Sequence, residues 1–171
     1  MDISYATSWP SFYTATINSW KPLLHDDRYK DVIIASLQFL VNTGRIRLNA
    51  FVIMSNHIHV IWQALDDYEL ESVQTSFKKF ASLQFLQLLK NEEKLQDYKV
   101  NAADRKHHFW KRNSLMIELF TPKVFRQKLD YIHQNPVAAG LCNNAEEYTY
   151  SSASFYEVGE DCFNMLEHYA G

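Results

Sequence analysis

Two histidines one residue apart, His57 and His59, interrupt an apolar, β-rich run from Phe51 to Gln63. On a strand, residues two positions apart point to the same face, so both imidazoles project together. Imidazole is a ligand for divalent ions, and a pair of them makes two thirds of a metal site if a second element brings an oxygen ligand over that face. With 7 histidines in the chain, one His-x-His arises by chance roughly three times in ten. Taken alone, the pair reads as two polar residues on a half-exposed strand.

A second stretch adds weight. From Thr121-Pro122 onward the apolar residues Val124, Phe125, Leu129 and Ile132 recur as one stripe at about 100° per residue. Lys128, Tyr131 and Asn135 fall beside that stripe, and Tyr131 and Asn135 share a face one helical turn apart. By the same geometry His133 points nearly the opposite way. A tyrosine at the rim of a core is common, and helical spacing alone gives Tyr131 no chemical role.

These residues need a scaffold. Phe12–Ile17 has the β-branched and aromatic content of a first strand. Asp26-Asp27 caps a helix whose apolar positions Tyr29, Val32, Ile33, Leu37, Leu40 and Val41 run to a stop at Gly44. Arg45–Met54 reads as a central strand, and Ser55-Asn56 permits a tight reversal into the histidine strand. There Ile58, Val60 and Trp62 face one way, as core, while His57, His59 and Ile61 face the other. A second helix spans about Leu70 to Asn91, with Val73, Phe77, Phe80 and Ala81 on one stripe. Residues 92 to 106 read as a charged loop, and Trp110–Phe120 as another strand. The third helix opens at Thr121-Pro122, an N-cap followed by proline at the first helical position. Its expected end is Gln134, because the residue before Pro136 is pushed out of the helical region. Tyr148–Tyr156 has no clear assignment. The order strand, helix, strand, strand, helix, strand, helix predicts an α+β fold: a ferredoxin-like antiparallel sheet with helices packed on it.

Composition bounds the rest. The 171 residues suit one domain with a real core, and 47% hydrophobic and 15% aromatic content with only 4 Gly and 4 Pro argues against a disordered chain. Cys142 and Cys162 make neither a disulfide framework nor a paired metal spacing, which suits a reducing compartment. With no apolar run of membrane-spanning length and no leader pattern at Met1, a soluble cytoplasmic protein is expected. A net charge of −3 and a pI near 6.1 count against a generic nucleic-acid coat, so any DNA contact must be local. Basic residues do cluster, at Lys78-Lys79, Arg105-Lys106, Lys111-Arg112, and Lys123, Arg126 and Lys128.

Together, Met54-Ser-Asn-His-Ile-His-Val-Ile and Tyr131-Ile-His-Gln-Asn-Pro-Val-Ala-Ala-Gly-Leu141 resemble the single-tyrosine transposases, nucleases with a histidine-hydrophobic-histidine (HUH) motif. Among these the chain most resembles the repeat-associated (REP-associated) branch. The likeness runs from about residue 10 to 156 and takes in Phe109-Trp110-Lys-Arg and Tyr148-x-Tyr-Ser-Ser. It implies a division of roles: His57, His59 and Asn135 bind a divalent ion, Mg²⁺ or Mn²⁺, and Tyr131 is the nucleophile. It also implies cleavage of single-stranded DNA beside a hairpin through a 5′-phosphotyrosine link that a second 3′-hydroxyl can resolve, without ATP or another nucleotide cofactor. Lys111, Arg112 and Lys128 are then candidates for backbone contacts, and Trp110 or Phe109 for base stacking; packing beneath the sheet is an equal reading for Trp110. A monomer is favoured over a homodimer. The alternative is a relative that binds hairpin DNA or RNA and no longer cuts.

Overall fold

The computed structural model describes residues 9–99 and 108–170. Its centre is a four-stranded antiparallel sheet in the order β2-β3-β1-β4, built from β1 (Ser11–Thr16), β2 (Ile46–Ile53), β3 (His57–Ala64) and β4 (Leu115–Glu118). With α1 (Asp27–Asn42) between β1 and β2, and α2 (Leu70–Asn91) between β3 and β4, the chain follows the ferredoxin-like plan. The sheet separates two apolar layers. Ile58, Val60 and Trp62 of β3 and Tyr13 and Ala15 of β1 pack with α1 and α2. Phe12, Val52 and Ile61 face the other way, against Phe125 and Ile132 of α3 (Pro122–Ala138). The alternation expected along β3 is present, and α3 covers the face that carries the histidines.

Side-chain caps start α1 and α3. Asp26 caps α1 by accepting from the Arg28 N–H at 2.9 Å, and burial of Tyr29, Ile33, Leu37 and Leu40 seats the helix on the sheet. In α2 the buried series is Val73, Phe77, Ala81, Phe85 and Leu89, at strict four-residue spacing; Phe80 lies off that row and is exposed. Thr121 caps α3, its Oγ1 accepting from Val124 N–H at 3.2 Å, with Pro122 at the first turn.

Three boundaries differ from the sequence reading. First, α3 does not stop at Gln134. It continues through Pro136 to Ala138, because a proline in the last turn forfeits only its own N–H bond. The stop is instead a Schellman turn: Gly140, at φ +72°, donates to Val137 O and Leu141 donates to Pro136 O, both at 2.9 Å. Second, the strand expected over Trp110–Phe120 is reduced to β4. β1 advances three residues from Thr14, opposite Leu115, to Ile17, opposite Trp110, while the other chain advances five. The two extra residues are taken up around Asn113, which has φ +61°. Third, the charged segment after α2 contains a short 3₁₀ helix at Leu95–Tyr98; the basic pair Arg105-Lys106 lies outside the described residues.

The unassigned tail closes the open edge of β2. Ser151 bridges Val52, the Ile53 N–H donates to Tyr150 O at 2.9 Å, and the Tyr148 hydroxyl donates to Ile53 O at 2.7 Å. A short helix, α4 (Ala153–Val158), follows. Among the described residues no helix is long and apolar enough to cross a membrane.

Candidate active site

The β2–β3 turn and the β1–β3 ladder position the histidines. Met54 N–H donates to His57 O at 2.8 Å and closes the turn, and antiparallel register sets His57 opposite Thr16 and His59 opposite Thr14. Their rings stand 4.8 Å apart at 68°. His59 is buried and stacks on Phe12 at 5.2 Å.

Each imidazole is held through Nδ1. Asn56 Oδ1 lies 2.7 Å from His57 Nδ1, and the Asn56 amide is oriented by its Nδ2 donating to Trp20 O at 3.4 Å. His57 Nδ1 therefore carries the proton, and its Nε2 keeps a lone pair. Thr14 Oγ1 lies 2.7 Å from His59 Nδ1. His59 Nε2 is shut off from solvent and makes no hydrogen bond. Burial pushes the His57 ring below its ordinary range. Burial, then the neighbouring His57, then the Lys128 charge, push His59 down to about 3. Both rings are thus neutral near pH 7, the form that ligates metal.

The third wall is α3. Tyr131 is 52% exposed, yet its ring lies 5.3 Å from that of His59 and 6.0 Å from that of Phe12. Lys128 Nζ stands 4.8 Å over Phe12 and 5.7 Å over Tyr131, so its charge borders the same cleft. Asn135 is half-buried one turn beyond Tyr131, about 6 Å along the helix axis, and its side chain forms no hydrogen bond with the described residues. Among those residues no group of three His, Cys, Asp or Glu side chains is placed to hold a metal, so a third protein ligand to the pair would be neutral. The buried, unbonded His59 Nε2 and two oriented neutral imidazoles fit a divalent ion completed by an amide oxygen.

The other expected contacts fall elsewhere. Trp110 is only 4% exposed and packs against Phe77 and Phe85, its Nε1 donating to Lys78 O at 3.3 Å. Phe109 is equally buried. Neither ring can offer a face to a base; an extended segment crossing the end of the sheet turns them into the core. Lys111 and Arg112 line an open groove of about 780 Å³ shared with Lys78 and Lys79 of α2.

Sequence reading overlooked the residues that hold the site. Thr14 and Phe12 carry no signal until register places them beside His59, and Asn56 reads only as a turn former. His133, on the far side of α3 from Tyr131, is buried with Nε2 2.8 Å from Ser152 Oγ. Ser152 Oγ in turn accepts from Phe51 N–H at 3.0 Å, which ties α3 to β2.

No family model matches the sequence, and no curated protein matches it. Solved structures do. One, a protein of Deinococcus radiodurans R1 assigned as a transposase, is 10% identical, with 77% of this chain and 95% of that one covered and a TM-score of 0.49. Another is 17% identical, with 100% of this chain and 99% of that one covered and a TM-score of 0.66. From end to end, therefore, this chain has the fold of a REP-associated tyrosine transposase solved bound to a REP hairpin.

Proposed function

We propose that the protein is a metal-dependent transposase-type enzyme that nicks and rejoins single-stranded DNA beside a hairpin, with Tyr131 as the nucleophile. The observation that carries this reading is the meeting of an exposed tyrosine on α3 with a histidine whose buried Nε2 lacks a partner. The full-length likeness to a transposase bound to a hairpin supports DNA as the substrate class.

His57, His59 and Asn135 would hold the ion, Mg²⁺ or Mn²⁺. Bound there, it would polarise the scissile phosphate and draw charge from the leaving 3′ oxygen. Thr14 and Asn56 fix the ring orientations, and Phe12 walls the site against the sheet. Lys128 pairs with a phosphate oxygen and helps hold the strand in line with Tyr131. Tyr131 is half-exposed, and its phenol passes its proton to water as its oxygen bonds to phosphorus. The bond from phosphorus to the 3′ oxygen breaks, and that oxygen takes a proton from water and leaves as a free 3′-hydroxyl. The 5′-phosphotyrosine that results keeps the phosphoester, so an incoming 3′-hydroxyl can reverse the step without ATP. Such a strand must present one phosphate in line with both Tyr131 and the histidines, which a flexible single strand does more readily than a stacked duplex.

The test is an adduct assay with a pool of hairpin-flanked single-stranded DNA labelled at the 3′ end, the end retained on the protein. A denaturation-resistant band that requires metal and is absent from Tyr131→Phe and His57→Ala is the expected result. Binding of the pool by wild-type protein with no such band would replace this reading with a hairpin-binding module.

A further inference from the structure

Between β1 and α1 the backbone takes an uncommon path. Ser19 and Trp20 both have positive φ, 58° and 55°, a conformation that bulky L-residues rarely adopt. The outcome is an indole that is 58% exposed. It makes no ring-to-ring contact among the described residues, so core packing does not account for the strained turn. Strain of this kind persists where the surroundings over-determine it, and it concentrates at ligand-binding positions.

Two independent contacts place Trp20 beside the histidines. Its carbonyl accepts from Asn56 Nδ2, while Asn56 Oδ1 meets His57 Nδ1, so one side chain links the indole's backbone to the imidazole. On the other side, Lys111 N–H donates to Thr16 O at 2.7 Å, and Thr16 is the register partner of His57. Lys111 therefore lies two strand spacings, about 10 Å, from His57. Lys111, unlike its buried neighbours Phe109 and Trp110, is exposed. Its Nζ stands 4.8 Å over the Trp20 ring. Beyond it runs the open groove bordered by Lys78, Lys79 and Arg112. An exposed aromatic face, a cation upon it and a basic groove leading away are the parts from which single-strand sites are built.

We propose, resting on the single-strand reading above, that Trp20 is a stacking platform for a nucleobase close to the scissile phosphate, with Lys111 on the adjoining phosphate. The indole supplies the surface that buried Trp110 cannot. Stacking on an indole is available to every base, so Trp20 holds the strand in place without reading sequence.

The experiment compares the affinity of the full chain for two fluorescent strands, a short oligothymidylate and an abasic strand of equal length, by anisotropy at low salt in EDTA. The informative variant is Trp20→Asn, because asparagine tolerates positive φ and the substitution removes the ring without distorting the turn. Wild type is expected to prefer oligothymidylate. Trp20→Asn should bind it about 5- to 100-fold more weakly, with abasic binding and the unfolding midpoint unchanged, and Trp20→Phe should keep most of the preference. Equal affinity of wild type for both strands, or an equal loss on both in Trp20→Asn, overturns the platform. If wild type binds neither strand, the platform and the single-strand reading fall together. A base preference that depends on Trp20, with no adduct at Tyr131, would keep the platform and remove the nicking.

Discussion

Thr14 and His59 face each other across the β1–β3 ladder with Oγ1 and Nδ1 2.7 Å apart. The hydroxyl sets which way the imidazole turns by engaging Nδ1, and Nε2, shut off from solvent, is the ring nitrogen left without a hydrogen-bond partner. Groups that orient a metal-binding histidine through its second nitrogen are worth about 10- to 100-fold in affinity. Thr14→Val keeps the β-branch and the shape but not the oxygen. It should lower Mn²⁺ affinity by that factor in calorimetric titration, while circular dichroism stays as in wild type. Wild-type affinity in the valine variant would show that Thr14 does not orient His59 for the ion.

Lys128 occupies the lip of the cleft, its ammonium over both Phe12 and Tyr131. If it contacts a phosphate, Lys128→Gln removes one released counterion on binding. The slope of log K against log salt for single-stranded DNA should then shrink by about 0.7, and affinity should fall across sequences alike. A slope identical to wild type would place Lys128 outside the path of the strand.

His133 gives the protein a pH-dependent stability. Burial pushes its ring down to about 4, with Asp130 opposing only in part, whereas an unfolded chain has it near 6.5. Because the folded value is the lower one, the unfolded state binds more protons between the two. The contribution is present above pH 6.5 and is lost as pH falls towards 4. Converting the shift gives a loss of about 3 kcal/mol at most. Urea unfolding of wild type and His133→Gln at pH 7 and pH 4 isolates this group, since glutamine does not titrate. The stability of wild type relative to the variant should drop by roughly 2–3 kcal/mol between the two pH values; a difference independent of pH would mean that His133 takes up its proton as readily in the fold as in the unfolded chain.

Much of this was legible in the sequence, and for a physical reason. Period-two alternation separated Ile58, Val60 and Trp62 from His57, His59 and Ile61, and both sets face as their pattern implies. Helical spacing likewise put Phe125 and Ile132 in a core and Tyr131 beside it. Register was not legible. Nothing local marks Thr14 as the partner of His59, because the pairing depends on how two distant strands slide against each other. Nor could spacing say that Trp110 is buried while Trp20 is exposed, since that choice is made by an irregular crossing at the end of the sheet. Pro136 misled for a different reason: the rule against proline concerns a helix interior, and one turn from a glycine stop the cost is a single bond.

The anchor of α3 is the last relationship with a measurable consequence. Ser152 Oγ accepts from the Phe51 N–H and meets His133 Nε2, all three within the buried seam between β2 and α3. Ser152→Ala leaves a backbone donor and an imidazole nitrogen without partners where water cannot replace the hydroxyl, at a cost of about 1–3 kcal/mol for each group so stranded. By contrast Thr121→Ala, at the exposed N-cap of the same helix, should cost about 0.5–2 kcal/mol, because water can satisfy the freed Val124 N–H. Urea denaturation should therefore rank Ser152→Ala as the more damaging of the two. The pair also separates stability from placement. If the His133–Ser152 contact steadies Tyr131, Ser152→Ala should slow adduct formation without urea at a temperature where the protein remains folded, and Thr121→Ala, nearly three turns from Tyr131, should not. A Ser152→Ala protein that forms the adduct at the wild-type rate would show that α3 is held in register by its apolar stripe alone, through Phe125 and Ile132.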